Sequence, residues 1–260
     1  MSTPVQDLFK LGGRRALITG GSRGLGLQMA QALGAMGARI GLVARKAEEL
    51  EQARAQLQQQ GIDARVFAVD LSDRKAIGAL VQDVQRALGG IDILVNNAGA
   101  SWGAPAEDHP DEAWDKVMGL NVDAVFFLSR EVGRTCMIPQ RQGSIINIAS
   151  IAGLRGNLPP MHTIAYNTSK GAVLNFTRAL AGEWGRYGIR VNAILPGFFP
   201  SKMSAGLLQA IGDQVVRETP LGRLGGDQDL MGSVVFFASD ASRHVSGQCL
   251  AVDGGASAVL

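Results

Sequence analysis

Apolar positions in this chain alternate between two patterns. Short unbroken runs rich in Val and Ile occupy 15–19 (RALIT), 38–44 (ARIGLVA), 64–69 (ARVFAV), 91–95 (IDILV), 144–149 (SIINIA), 189–195 (IRVNAIL) and 249–252 (CLAV). Runs of this length without polar alternation fit strands covered on both faces. Between them, 26–37, 47–61, 74–89 and 168–185 carry helical spacing among good helix formers, and several finish at glycine, a frequent helix C-terminus. The alternation predicts an α/β fold: a doubly wound parallel sheet with helices on both faces. Two stretches, 151–165 and 197–226, are less regular, and the second follows the sixth expected strand. Loops after the strands of such a sheet are where ligands bind.

Composition narrows the class. A chain of 260 residues holds one large α/β domain or two small ones. No linker-like shift or internal repeat divides it, so 1–260 reads as one domain. Hydrophobic residues at 46% and charged residues at 18% describe a folded chain rather than a disordered one. A net charge of +2, without a basic run, offers no footprint for nucleic acid. Cys136 and Cys249 stand alone, outside any CxxC, which suits a reduced, cytoplasmic setting. The opening MSTPVQDLFKL has no apolar core for a signal peptide, and no run is long enough to span a bilayer. His109, His162 and His244 do not cluster with acids or cysteines, so no metal site is expected.

The segment LITGGSRGLGLQMA puts Gly20, Gly24 and Gly26 between the first strand and the first helix. Glycines there let backbone approach a pyrophosphate, whose charge meets N–H groups at the helix N-terminus. The spacing is GxxxGxG rather than GxGxxG, and packing alone is the competing explanation. The second strand ends LVARK, with Ala44 and Arg45 where an NAD binder commonly carries a carboxylate for the ribose 2′-hydroxyl. Arg23 within the loop is a second cation. Two guanidiniums beside an adenosine ribose suit a 2′-phosphate, hence NADP rather than NAD; the alternative is that both are simply solvated.

Of two tyrosines in the chain, Tyr166 stands four residues before Lys170 in IAYNTSKGAV. On a helix these share a face, one turn apart. A phenol near pKa 10 needs about 4 kcal/mol of preferential phenolate stabilisation to lose ~3 units. A lysine ammonium and an oxidised nicotinamide are two sources of it. The alternative is an exposed tyrosine stacked on a lysine stem. Ser150 ends the strand SIINIAS, where its hydroxyl can reach a carbonyl oxygen that gains negative charge; a turn or cap role competes. Asn121, in LNVDAVFFLS, is either functional or a structural, helix-bending residue.

In this order TGGSRGLG (19–26), VDL (69–71), NNAG (96–99), LNV (120–122), Ser150, YNTSK (166–170), PG (196–197) and VDGG (252–255) resemble the short-chain dehydrogenases/reductases across almost the whole chain. The resemblance implies a Rossmann-like sheet and NADP(H)-dependent interconversion of a ketone and a secondary alcohol. It implies that Tyr166 is the acid–base group and that Lys170 lowers its pKa and holds the nicotinamide ribose. Ser150 is then the carbonyl-polarising residue, and Asn121 keeps a water for the proton relay. Gly20, Ser22, Arg23, Gly24, Leu25 and Gly26 match the coenzyme loop, Asp70 and Leu71 the adenine contact, and Asn97, Ala98 and Gly99 the segment beside the adenosine. Pro196, Gly197, Phe199 and Ser201 match the stretch at the carboxamide. Arg45 matches NADP-preferring members. The family usually forms homotetramers, and some proteins on its scaffold have lost activity and serve as binding subunits.

The interval from Ser150 to Tyr166 is longer than in many members, and Pro159 and Pro160 stiffen it. Expected pocket walls are Trp102, Leu154, Met161, His162, Phe198, Met203, Leu207 and Leu208, mostly apolar, with Arg155 and His162 available to a carboxylate or sugar hydroxyls. NNAGASWGAPAEDHP and PGFFPSKM resemble both gluconate 5-dehydrogenases and 3-oxoacyl thioester reductases. Arg141 and Arg186 are candidates for docking an acidic carrier protein in the second case.

Overall fold

The computed structural model describes residues 4–157 and 159–259. Seven parallel strands form one sheet in the order β3-β2-β1-β4-β5-β6-β7. They are β1 (Arg15–Thr19), β2 (Arg39–Ala44), β3 (Ala64–Ala68), β4 (Ile93–Asn96), β5 (Gly143–Ile148), β6 (Ile189–Pro196) and β7 (Cys249–Val252). All seven expected runs are strands, displaced by at most two residues at an end.

Alternation within each strand feeds two cores. In β1, Ala16 and Ile18 face a layer made with α1 (Gly24–Ala35), α2 (Ala47–Gln59) and α9 (Met231–Ala238), while Leu17 faces the opposite one. That second layer holds α3 (Ala76–Leu88), α5 (Ala124–Val132) and α7 (Ile164–Trp184). Ala16, Leu17 and Ile18 have no exposed surface, which is why the strand reads as continuously apolar. The glycine stop of α3 is realised at Gly89, whose φ of +86° is left-handed.

Helical segments run from 111 to 140: α4 (Asp111–Met118), α5 and α6 (Ile138–Gln140), joined by π-helical segments Gly119–Asp123 and Gly133–Met137. A buried polar chain pins this layer to the sheet. Asn96 Nδ2 donates to Ser129 Oγ at 3.0 Å and to Asn147 Oδ1 at 2.9 Å, and Asn147 Nδ2 donates to Thr177 Oγ1 at 2.9 Å. A satisfied network of this kind in a low-dielectric interior fixes the elements it joins.

Two stretches differ from the sequence reading. The region after β6 holds a regular helix, α8 (Ala205–Glu218), and α7 begins at Ile164 rather than 168. Tyr166 therefore sits in the first turn of α7. β1 pairs with both β2 and β4, so the chain reverses its direction of winding there, and the crevice outside those strand ends is where such sheets bind ligands.

Candidate active site

A cavity of about 1040 Å³ opens at the C-terminal ends of the strands. Its floor begins with the turn from β1 to α1. Gly20 and Gly24 have φ of +63° and +52°, conformations that glycine adopts without a Cβ penalty. A Cβ on Gly26 would overlap the Gly20 carbonyl oxygen and come within 2.6 Å of Asn97 Nδ2. The turn is tied to the loop after β4, because Thr19 Oγ1 accepts from the N–H groups of Asn97 and Ala98, each at 2.9 Å. Asn97 Nδ2 returns a bond to Thr19 O at 2.9 Å. Arg23, at the N-cap of α1, makes no side-chain capping bond. The first turn of the helix, with Gly24, Leu25 and Gly26, lines the cavity, so its dipole and unpaired N–H groups favour an anion there.

One end of the cavity is basic. Arg23, Arg45 and Lys46 line it together with Ser22, Glu49, Asp70 and Leu71. Arg23 Nη1 lies 2.8 Å from Glu49 Oε2, and Lys46 Nζ lies 3.1 Å from Glu49 Oε1. Arg45 is 3.9 Å from Asp70 and otherwise open to solvent. The bond to Lys46 is the largest influence on the Glu49 carboxyl; burial opposes it, and the charges of Arg23, Lys46 and Lys202 add to it, so that the carboxyl stays below its ordinary range. Asp70 is also lowered, chiefly by the Ser72 hydroxyl and less by Arg45. Lys46 and Glu49 escaped the sequence reading; the signal was a lysine directly after Arg45 and an acid in the next helix's first turn.

The other end brings together Ser150, Tyr166 and Lys170. Ser150 follows β5 in extended backbone, and its Oγ accepts from Ala152 N–H at 3.1 Å, which leaves the hydroxyl proton free to donate. Lys170 is buried; its Nζ donates to Ile148 O at 2.8 Å and lies 5.5 Å from the centre of the Tyr166 ring. Burial draws the ammonium down to about 8. Burial also pushes the Tyr166 phenol above its ordinary value, with the Ser150 hydroxyl acting in the opposite sense. The expected depression of the phenol by Lys170 has no part in this balance between protein groups.

Asn121 stands behind the cavity, buried in the first π-helical segment, a distortion frequent at functional sites. Its Nδ2 donates to Ala100 O and to Ser169 Oγ, both at 2.9 Å, and its Oδ1 accepts from Ala100 N–H at 2.8 Å. The side chain therefore clamps the loop after β4 to α7 one residue from Lys170. Gly99 fills the angle between them: a Cβ there would lie 3.2 Å from Asn121 Oδ1 and 3.8 Å from Lys170 Nζ.

Every residue expected at the coenzyme lines the cavity, including Asn97, Ala98, Gly99, Pro196, Gly197, Phe199 and Ser201. Of the expected substrate walls, Arg155, Met161, Phe198, Met203 and Leu207 line it, whereas Trp102, Leu154, His162 and Leu208 do not. Ala104 N–H donates to His162 O at 3.0 Å. This bond joins the two rim loops, and Trp102, Leu154 and His162 are exposed. Unexpected walls come from α8, where Ile211 and Val215 continue the four-residue spacing of Leu207, and from Ala256 and Val259 near the C-terminus. The rim loop is held to α7 by Asn167, whose Nδ2 donates to Ala152 O at 2.9 Å and to Arg155 O at 3.0 Å. Among the described residues, no cluster of three or more His, Cys, Asp or Glu is arranged to hold a metal, and no helix is long and apolar enough to cross a membrane.

A parallel sheet with a glycine turn at its winding reversal and a Ser–Tyr–Lys group at its carboxyl edge defines a nucleotide-dependent oxidoreductase fold. The family model described as "short chain dehydrogenase" matches residues 14–211. The chain belongs to that family. It is 41% identical over 257 residues to the gluconate 5-dehydrogenase of Gluconobacter oxydans (strain 621H), covering 98% of each chain. It is 38% identical to the 5-keto-D-gluconate 5-reductase of Escherichia coli (strain K12), covering 96% of this chain and 98% of that one. Among solved structures, it superposes with a TM-score of 0.91 on a gluconate 5-dehydrogenase from Burkholderia cenocepacia J2315 in complex with NADP and tartrate, at 36% identity and over 99% of this chain and 100% of that one.

Proposed function

We propose that this oxidoreductase interconverts a ketone and a secondary alcohol on a sugar acid of the 5-ketogluconate/gluconate kind, using NADP(H). The observation that carries the reading is the placement of Ser150, Tyr166 and Lys170 at one end of a single cavity and of Arg23, Arg45 and Lys46 at the other. The names of the relatives support the substrate class, and the NADP in the Burkholderia structure supports the cofactor.

The cavity's chemistry suits a dinucleotide. The missing Cβ atoms of Gly20 and Gly26 let the turn pack closely on itself and on the loop after β4, and Gly24 faces open space, an arrangement that suits a pyrophosphate beside the first turn of α1. Arg23, Arg45, Lys46 and Ser22 are donors for a 2′-phosphate, and guanidiniums meet phosphate bidentately. Bound there, the nicotinamide supplies hydride in the reducing direction and, once oxidised, a positive charge that favours phenolate over phenol.

In that direction, the Ser150 hydroxyl donates to the substrate carbonyl oxygen as negative charge develops on it. The Tyr166 hydroxyl donates the proton that completes the alcohol, and in oxidation the phenolate takes it back. Lys170, charged and fixed by Ile148 O, presents its remaining protons to ribose hydroxyls. Asn121 holds α7 against the loop after β4, which keeps both groups in register. Arg155 is the cation on the substrate wall, suited to a carboxylate.

The test is NADPH oxidation by purified protein with 5-ketogluconate, related keto acids and 3-oxoacyl thioesters, each repeated with NADH. Turnover led by the sugar acids supports the reading. Turnover led by thioesters overturns the substrate and moves attention to the apolar wall of α8.

A further inference from the structure

The basic end of the cavity already contains an anion, the Glu49 carboxylate. One oxygen takes Arg23 at 2.8 Å and Ser22 Oγ at 3.4 Å, and the other takes Lys46 at 3.1 Å. A 2′-phosphate would use the same three donors. Resting on the NADP reading above, we propose that Glu49 is an internal counter-anion that competes with the 2′-phosphate for Ser22, Arg23 and Lys46. It thereby sets how strongly NADPH is preferred over NADH.

Several observations converge on this residue. Glu49 sits in the first turn of α2, facing the cavity beside Arg45 and Asp70. Its neighbouring cations keep it ionised at neutral pH, so it attracts the donors at the same pH as a phosphate does. NADPH must displace the carboxylate and then bind beside it. NADH brings a ribose 2′-hydroxyl, a hydrogen-bond donor that the same carboxylate can accept, as acidic residues do in NAD sites. Removal of the charge therefore favours NADPH without favouring NADH.

Glu48 provides an internal control. It lies in the same helical turn and interacts similarly with the helix dipole, but it is exposed and does not line the cavity. An effect common to Glu48 and Glu49 would be one of general charge. An effect confined to Glu49 reports competition for the phosphate donors.

The experiment is equilibrium titration of wild type, Glu49→Gln, Glu49→Asp and Glu48→Gln with NADPH and with NADH, read by nicotinamide fluorescence without substrate. Loss of a solvent-screened carboxylate that holds Ser22, Arg23 and Lys46 predicts NADPH binding about three- to tenfold tighter in Glu49→Gln. NADH binding is expected to be unchanged or weaker, and Glu49→Asp, with its shorter reach, to fall between. An unaltered NADPH/NADH ratio of dissociation constants in Glu49→Gln, or an equal shift in Glu48→Gln, overturns the inference. The cofactor reading fails separately, if wild type binds NADH more tightly than NADPH. The change of ratio in Glu49→Gln still decides the role of Glu49 in that case.

Discussion

Lys170 is a residue that the fold carries at a thermodynamic cost. Its burial lowers the ammonium from 10.5 to about 8, a cost of roughly 3 kcal/mol. The sign follows from proton counting. Between pH 8 and 10.5 the unfolded chain binds more protons at this site than the folded one, so folded stability rises with pH across that window. Below pH 8 the full penalty is present. Lys170→Met removes it, and also removes the bond to Ile148 O, a loss of about 1 kcal/mol. The variant is therefore expected to be more stable at pH 7 by about 2 kcal/mol, or about 4 °C in Tm for a chain of this size. The gap should narrow above pH 8, close near about pH 10 and reverse slightly beyond it, where only the lost bond to Ile148 O remains. The assay is chemical denaturation of cofactor-free wild type and variant at equal protein concentration from pH 7 to 10.5. Other titrating groups, such as the raised Cys136 thiol, largely cancel in the difference. A gap that does not change with pH, or a variant less stable at pH 7, would refute the argument.

Three further outcomes follow from named contacts. Arg45→Asp should weaken NADPH binding about 10- to 100-fold, with a much smaller effect on NADH, measured by fluorescence titration; equal losses would remove the 2′-phosphate role. Gly26→Ala would force the added carbon into the Gly20 carbonyl, and binding of both cofactors should fall together while the far end of the cavity stays intact. Asn121→Ala leaves the Ala100 N–H and C=O and the Ser169 hydroxyl without their partner; a loss of about 2–3 kcal/mol in denaturation is expected, with a drop in kcat larger than any rise in KM.

The strands were legible because a fully covered parallel sheet needs no polar face, so each strand stands out as a continuous apolar run. The residues that the family resemblance put at the coenzyme line one cavity, because the turn after β1 and the ends of β2 to β6 converge at one edge of the sheet. The substrate wall was harder to read. Whether Trp102 and His162 face the cavity depends on how the two rim loops pair, and the bond from Ala104 to His162 leaves no periodic trace in the chain. The helix α8 was hidden by the irregular stretch before it, although Leu207, Ile211 and Val215 carry the right spacing. Glu49 was missed because an acid in a first helical turn has an ordinary explanation in the helix dipole. The tyrosine pKa was expected from charge alone, whereas burial of the phenol is the larger effect among the protein's own groups.

The central claim is that Tyr166 exchanges a proton with the substrate oxygen in an NADP(H)-dependent reaction. Tyr166→Phe tests it most directly, with kcat measured on the best substrate and the NADPH dissociation constant measured by fluorescence on the same preparation. The account predicts a fall in kcat of at least about 10²-fold with NADPH binding nearly unchanged. Turnover close to that of wild type would contradict it.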